Sequence, residues 1–165
     1  MNTAQLTGSL TALFSELVDG ANESGGAFIL NSGDLGLLRS LDGLSAEAAS
    51  RAVNDGATIA AHAQHLAYGL SLMNHWAREG GDPFADAKWD EAWKTSAVDA
   101  AQWDEIRGSL RAESHRWLEK IGTPREVADV ELSGMLGSLA HLAYHLGAIR
   151  QIDKSARGPK EGTFR

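Results

Sequence analysis

The sequence predicts an all-α protein, most economically a four-helix bundle with irregular connectors. Apolar residues recur with a helical period in four long segments, and no segment alternates apolar and polar residues over the length of a strand. Clusters of glycine, proline and polar residues separate those segments. The 165 residues are enough for a single domain with one core. We expect that domain over residues 1–153 and a flexible basic tail over residues 154–165.

The first helix is predicted from Thr3 to Asp19, with Gly20 ending it. Its apolar residues fall on one helical stripe, formed by Leu6, Leu10, Leu13, Phe14 and Leu17. Residues 21–45 predict an irregular connector, which carries too many leucines to lie in water. Within it, Asp34 can cap a short helix.

The second helix is predicted from Ser45, as its N-cap, to about Glu79. The turn-forming residues 54–56 mark a weak point in this long run. Glycine and proline in residues 80–83 end the helix. A connector with two tryptophans, Trp89 and Trp93, follows it.

The third helix is predicted to begin at Asp99, which forms a capping box with Gln102, and to end at Gly122. Residues 123–126 carry another helix-start signal, because Thr123 can cap and proline suits the first helical position. We expect the last helix from about Leu132 to Asp153.

The tetrapeptide His-Leu-Ala-Tyr occurs twice, at residues 65–68 and 141–144. In the second copy His145 follows His141 at a spacing of four, so both imidazoles project from the same side of a helix. His65 occupies the equivalent place in the first copy, where Gly69 stands in the position of His145. If the two helices pack side by side, His65, His141 and His145 can hold one metal ion and leave coordination positions free, as catalytic metal sites do.

The sequence is compatible with three roles for His62. This histidine precedes His65 by three residues and can act as a metal ligand, as a polar residue at the edge of the core, or as a partner that orients a ligand through its other ring nitrogen. His75 and His115 have no such neighbours, and we expect both to be exposed.

The aromatic residues divide into two groups. Trp76, Trp103 and Trp117 lie at helical spacing among apolar residues and are predicted to pack in the core. Trp89 and Trp93 lie in a polar connector, and one of them can cover the mouth of the site. The tyrosines of the repeat, Tyr68 and Tyr144, are predicted to be matched packing residues.

The composition excludes several functional classes. The chain has no cysteine, which excludes disulfides, thiolate metal ligands and a cysteine nucleophile. Its formal net charge is −7, and no helix has a dense basic face, so nucleic acid is not an expected partner. Neither a signal peptide nor a membrane span is predicted, and we expect a cytoplasmic protein. A bundle so rich in leucine and tryptophan is expected to leave one apolar face for a homodimer.

These features resemble the DinB/YfiT-like superfamily of four-helix bundles. The resemblance rests on a histidine followed by Leu-Ala late in the second helix, a tryptophan-containing connector, and the His141/His145 pair followed by Gly147 and Gln151. It implies that His65, His141 and His145 bind a divalent metal ion, typically nickel or zinc. It also implies a dimer, and a reaction like that of transferases or isomerases that use a low-molecular-weight thiol. His62 is an addition to the minimal pattern.

The sequence thus leaves two functions open. The first is a metal-dependent enzyme acting on a small molecule, either a transferase or a hydrolase. The motif contains no general base, which favours transfer through a metal-bound thiol over hydrolysis. The second is a non-catalytic helical bundle that binds a metal or a small ligand.

Overall fold

The computed structural model describes residues 1–21 and 27–159. It confirms the all-α class: the described residues form seven α-helices and no β-strand. The helices are α1 Thr7–Asp19, α2 Gly36–Asp42, α3 Ala46–Ala49, α4 Ile59–Glu79, α5 Trp89–Ala92, α6 Ala100–Gly122 and α7 Asp129–Ile152. In these ranges none of the helices is both long and apolar enough to cross a lipid bilayer.

The four longer helices, α1, α4, α6 and α7, contribute most of the core residues, and α2 adds three buried leucines. α4 packs against α6 and α7, and α1 packs against α2, α6 and α7. Trp103 and Trp117 are almost completely buried, and Trp76 packs against the core with part of its ring exposed. The indole of Trp103 donates to Leu44 O at 2.9 Å, and that of Trp117 donates to Ser138 Oγ at 2.8 Å. The predicted core position of these three tryptophans is confirmed.

The predicted second helix is interrupted. Residues 46–49 form the short α3, and α4 begins only at Ile59, after a non-helical segment. Asn54 and Asp55 have φ angles of 52° and 56°, in the left-handed region that a continuing α-helix does not use. Thr58 then caps α4, because its side chain accepts a hydrogen bond from Ala61 N at 3.2 Å. The weak point in the sequence is therefore a complete break.

The predicted helix start at Thr123 is wrong. Thr123 is the C-cap of α6, and its hydroxyl donates to Glu119 O at 2.9 Å. The residues after it pair with the N-terminal segment instead: Thr3 N donates to Arg125 O at 3.0 Å, and the terminal amine donates to Val127 O at 2.7 Å. This pairing uses the backbone in an extended form, so α7 starts only at Asp129, which is three residues before the predicted start at Leu132.

Predictions for three other parts of the chain are confirmed wholly or in part. Asp99 and Gln102 form the predicted capping box at the start of α6. α1 ends at Asp19 as expected but begins at Thr7, four residues after the predicted start. Asp34 accepts a hydrogen bond from Gly36 N at 2.9 Å, although Leu35 is the N-cap of α2. Part of the predicted irregular connector, residues 22–26, lies outside the described residues.

The first residues of the predicted tail are packed. Lys154–Ala156 form a 3₁₀ turn, and Ala156 is completely buried. Arg157 Nε donates to Arg150 O at 2.9 Å, which holds this segment against the end of α7. The rest of the predicted tail, residues 160–165, lies outside the described residues.

Candidate metal centre

Two of the long helices bring the three predicted histidines together. His65 projects from α4, and His141 and His145 project from one side of α7. His141 Nε2 lies 3.0 Å from His65 Nε2 and 2.9 Å from His145 Nε2. One ring nitrogen of each residue lies within 4.8 Å of the other two. The repeated tetrapeptide therefore does place its histidines at one point between the helices.

The protein environment keeps these imidazoles neutral. His145 and His65 are only 2% and 7% exposed, and His141 is half-buried. Burial, with repulsion from His141, His62 and His65, lowers the pKa of His145 to about 3. Burial, with repulsion from His141 and His62, lowers the pKa of His65 to about 4. Burial also lowers the pKa of His141. Neutral imidazole is the form that binds a metal.

His62, the fourth histidine near the cluster, contacts His145. The two Nδ1 atoms are 2.8 Å apart, and the His62 side chain is buried. A metal-binding nitrogen needs its lone pair, so when His145 binds through Nε2 its proton resides on Nδ1 and is donated to His62 Nδ1. This geometry favours the orienting role among the three that the sequence left open.

The connector between α4 and α6 covers the histidines with aromatic rings. Trp93 stacks on His65 with a centroid distance of 4.2 Å and an interplanar angle of 24°, and its ring also lies 5.7 Å from that of His145. Trp89 lies 5.5 Å from the ring of His65. Both tryptophans of the polar connector thus lie at the site, whereas only one of them was predicted to cover its mouth.

The two tyrosines of the repeat are not equivalent. Tyr68 is half-buried, its ring contacts Trp89, and its hydroxyl accepts a hydrogen bond from Lys88 N at 2.8 Å. Tyr144 is 71% exposed and touches only the edge of the His145 ring among the aromatic groups described. The prediction of matched packing residues is therefore wrong for Tyr144. The expected exposure of His75 and His115 is confirmed, with side chains 52% and 48% exposed.

The donor set fits a divalent metal ion. Two imidazole nitrogens that each lie about 2.0–2.1 Å from a tetrahedral zinc ion stand roughly 3.4 Å apart. The nitrogen pairs at 2.9 and 3.0 Å are within a few tenths of an ångström of that separation. Small rotations of the rings would therefore admit an ion. His65 Nδ1 is buried without a hydrogen-bond partner among the described residues, whereas His145 has His62 behind it.

Comparison with protein-family models, with curated proteins and with solved structures found no match to this chain. The cluster contains no carboxylate: no hydrogen bond or ion pair in the described part of the chain joins an acidic side chain to His62, His65, His141 or His145.

Replacement of His62 by alanine should weaken metal binding without abolishing it. The loss of the acceptor for His145 Nδ1 frees the ring of a ligand, and such changes typically cost roughly 10–100-fold in affinity. Titration of the purified variant with zinc, against a competing chelator, measures the change. His62→Gln keeps an acceptor in the side chain and should recover part of the affinity. Parent-like affinity in His62→Ala would contradict the orienting role.

The metal-free protein should lose stability as the pH falls from 7 to 5. The pKa values of His145 and His65 are about 3 and about 4 in the folded chain, below the value of 6.5 in the unfolded chain. As the pH falls below 6.5, the two histidines therefore take up protons in the unfolded chain before they do so in the folded chain. This uptake favours the unfolded chain, so the free energy of unfolding falls until the pH reaches the pKa values of the folded chain. For these two groups together we expect a loss of roughly 3–4 kcal/mol.

Urea denaturation in the presence of a chelator measures this pH dependence. His145→Gln should reduce the slope of the unfolding free energy by up to about 1.36 kcal/mol per pH unit, since one buried titrating group is removed. His75→Gln is the matched control, because it removes an exposed histidine that lies outside the cluster. Identical slopes for all three proteins would refute the burial argument.

Proposed function

We propose that this chain is a DinB/YfiT-like four-helix bundle that binds one divalent metal ion and acts on a small molecule at that ion. The observation that carries the proposal is the convergence of three imidazole nitrogens, from α4 and α7, within 4.8 Å of one another. Three neutral nitrogen donors leave coordination positions open, which is typical of catalytic rather than structural zinc sites.

The ligand chemistry favours nickel or zinc. Imidazole suits zinc, copper, iron and nickel, whereas magnesium and calcium prefer oxygen ligands. The site has neither thiolates nor carboxylates, and the sequence has no cysteine at all. His65, His141 and His145 would hold the ion, and His62 would fix the ring of His145 through the contact between their Nδ1 atoms.

The surroundings favour group transfer over hydrolysis. A divalent ion held here supplies Lewis acidity, which lowers the pKa of a thiol or water that binds to it. Hydrolysis additionally needs a group that accepts a proton, and no carboxylate bonds to the four histidines. A low-molecular-weight thiol starts from a pKa of about 8.5, far below the value of about 15.7 for water, so the ion can hold it as a thiolate without such a group. Trp93, stacked on His65, covers one side of that ligand with an apolar ring.

A metal assay followed by a turnover assay tests this function. Protein purified without a metal-affinity step should contain close to one nickel or zinc ion per chain. The loaded protein should then consume a low-molecular-weight thiol together with an electrophile. Bound metal without turnover would identify the non-catalytic binding protein, and absence of tight metal binding would overturn the proposal.

The homodimer is part of the same proposal. α7 exposes Leu136 and Tyr144, and residues 132–149 around them include no acidic or basic residue other than the histidines. A second copy could cover this face without bringing like charges together. Sedimentation of the protein at roughly tens of micromolar, a concentration chosen from typical interface affinities, tests the homodimer. A monomer at that concentration would contradict it.

A further inference from the structure

A cavity of about 320 Å³ lies between α4 and α7, directly beside the histidine cluster. His141 forms part of its wall, so a molecule in the cavity reaches the ring that contacts both His65 and His145. This volume is near the lower end of the range for small-molecule sites, about 300–1,000 Å³. The cavity and the cluster can therefore serve one small ligand.

The wall of this cavity is almost entirely apolar. Its side chains include Leu66, Leu70, Met73, Phe84, Trp89 and Leu142. None of the lining residues is an aspartate, glutamate, lysine or arginine. The hydroxyl of Ser138 is already used, because it accepts from Trp117 Nε1 and donates to Met135 O. A charged group placed here would lose its hydration without gaining a partner.

Gly69 has no side chain to fill the part of the cavity beside it. A β-carbon added at Gly69 would lie 3.7 Å from His141 Cε1 and 3.9 Å from the ring of Trp89. These are ordinary contacts, so a larger side chain at this position would extend into the cavity. Gly69 also stands where His145 stands in the other copy of the repeat. The position that follows each tetrapeptide thus carries a metal-binding candidate in α7 and a glycine of the cavity wall in α4.

We propose that this cavity binds an uncharged apolar group of the substrate, such as an aromatic ring or a branched aliphatic chain. The reacting end of the same molecule would point towards His141 and the ion. This inference rests on the proposed function, and it narrows the substrate class to small molecules with one apolar end. It excludes substrates whose carboxylate or phosphate would have to enter the cavity.

The first test uses metal-free protein, so that it does not depend on the metal site. Benzyl alcohol and benzoate share a ring and differ in charge, and ligand-observed NMR at pH 7 can compare their binding. Benzyl alcohol should bind at least about tenfold more tightly than benzoate, because the carboxylate has no partner in the cavity. Equal or tighter binding of benzoate, or no binding of either, overturns the proposal.

Variants locate the binding. Gly69→Leu should abolish binding of benzyl alcohol, and Gly108→Leu is its control, since Gly108 is an exposed glycine of α6 with nothing within 4 Å of an added β-carbon. Phe84→Ala, at a 48% exposed position on the connector, should weaken binding several-fold without touching the helices. Parent-like binding in both Gly69→Leu and Phe84→Ala would place the ligand elsewhere and overturn the proposal.

The second test joins the cavity to the metal. Cobalt-loaded protein should show an absorbance change with benzyl mercaptan at concentrations about tenfold lower than with mercaptoacetate, since only the first has an uncharged group for the cavity. The reverse order overturns the substrate class. Failure to load cobalt would instead contradict the metal site, while the metal-free comparison would still report on the cavity.

Discussion

Replacement of His65, His141 or His145 by alanine, one at a time, should abolish tight binding of a divalent ion. Each variant leaves two imidazoles, which cannot complete the geometry of the site. The loss should exceed the roughly 100-fold upper limit expected for a residue that only orients a ligand, such as His62. Titration of the four variants with zinc or nickel separates the two classes.

The helices should survive these substitutions. All three histidines lie inside long helices, where alanine has the highest helix propensity. Circular dichroism should therefore remain close to that of the parent. His75→Ala is the matched control, since it removes an exposed histidine of the same helix as His65. If His65→Ala binds like the parent while His62→Ala does not, the ligand on α4 has been assigned wrongly.

The convergence of the three histidines could be predicted because it depends on local rules. A spacing of four aligns His141 and His145 on any α-helix, and the repeated tetrapeptide gives His65 the same apolar setting. The packing of α4 against α7 then brings the two copies together. The role of His62 could not be decided in this way, because the distance of 2.8 Å to His145 depends on how the two helices are rotated against each other.

The features that sequence patterns do not reveal depend on contacts between residues distant in sequence. Residues 123–126 carry a real helix-start signal, but pairing with residues 1–3 satisfies their backbone in an extended form. Trp93 lies in a connector without helical period, so its stacking on His65 follows from the path of the chain and not from a pattern. The apolar cavity likewise depends on how the helices pack. Gly69, which follows the first tetrapeptide where His145 follows the second, indicates free space beside the cluster.

Removal of Asp34 should destabilise the protein strongly. Its carboxylate is 2% exposed and accepts a hydrogen bond from Arg150 at 2.6 Å, and Arg150 is itself only 17% exposed. The same carboxylate accepts from Gly36 N, so one side chain ties the start of α2 to the end of α7. Asp34→Ala leaves a largely buried guanidinium without its partner, a change that typically costs about 3–5 kcal/mol.

A double-mutant cycle can separate this ion pair from the other contacts of Asp34. Asp34→Ala, Arg150→Met and the double variant are compared by urea denaturation in the presence of a chelator, so that bound metal does not mask the loss. The double variant should be less destabilised than the sum of the single variants, by about 1–3 kcal/mol, because it no longer buries an unpaired charge. Lys94→Ala is the control: it breaks an exposed pair with Asp90 and should change stability by less than about 0.5 kcal/mol. Additive effects in the cycle would show that the ion pair itself contributes nothing to the free energy of unfolding. The other contacts of Asp34 would then account for its effect on the end of α7, the helix that carries His141 and His145.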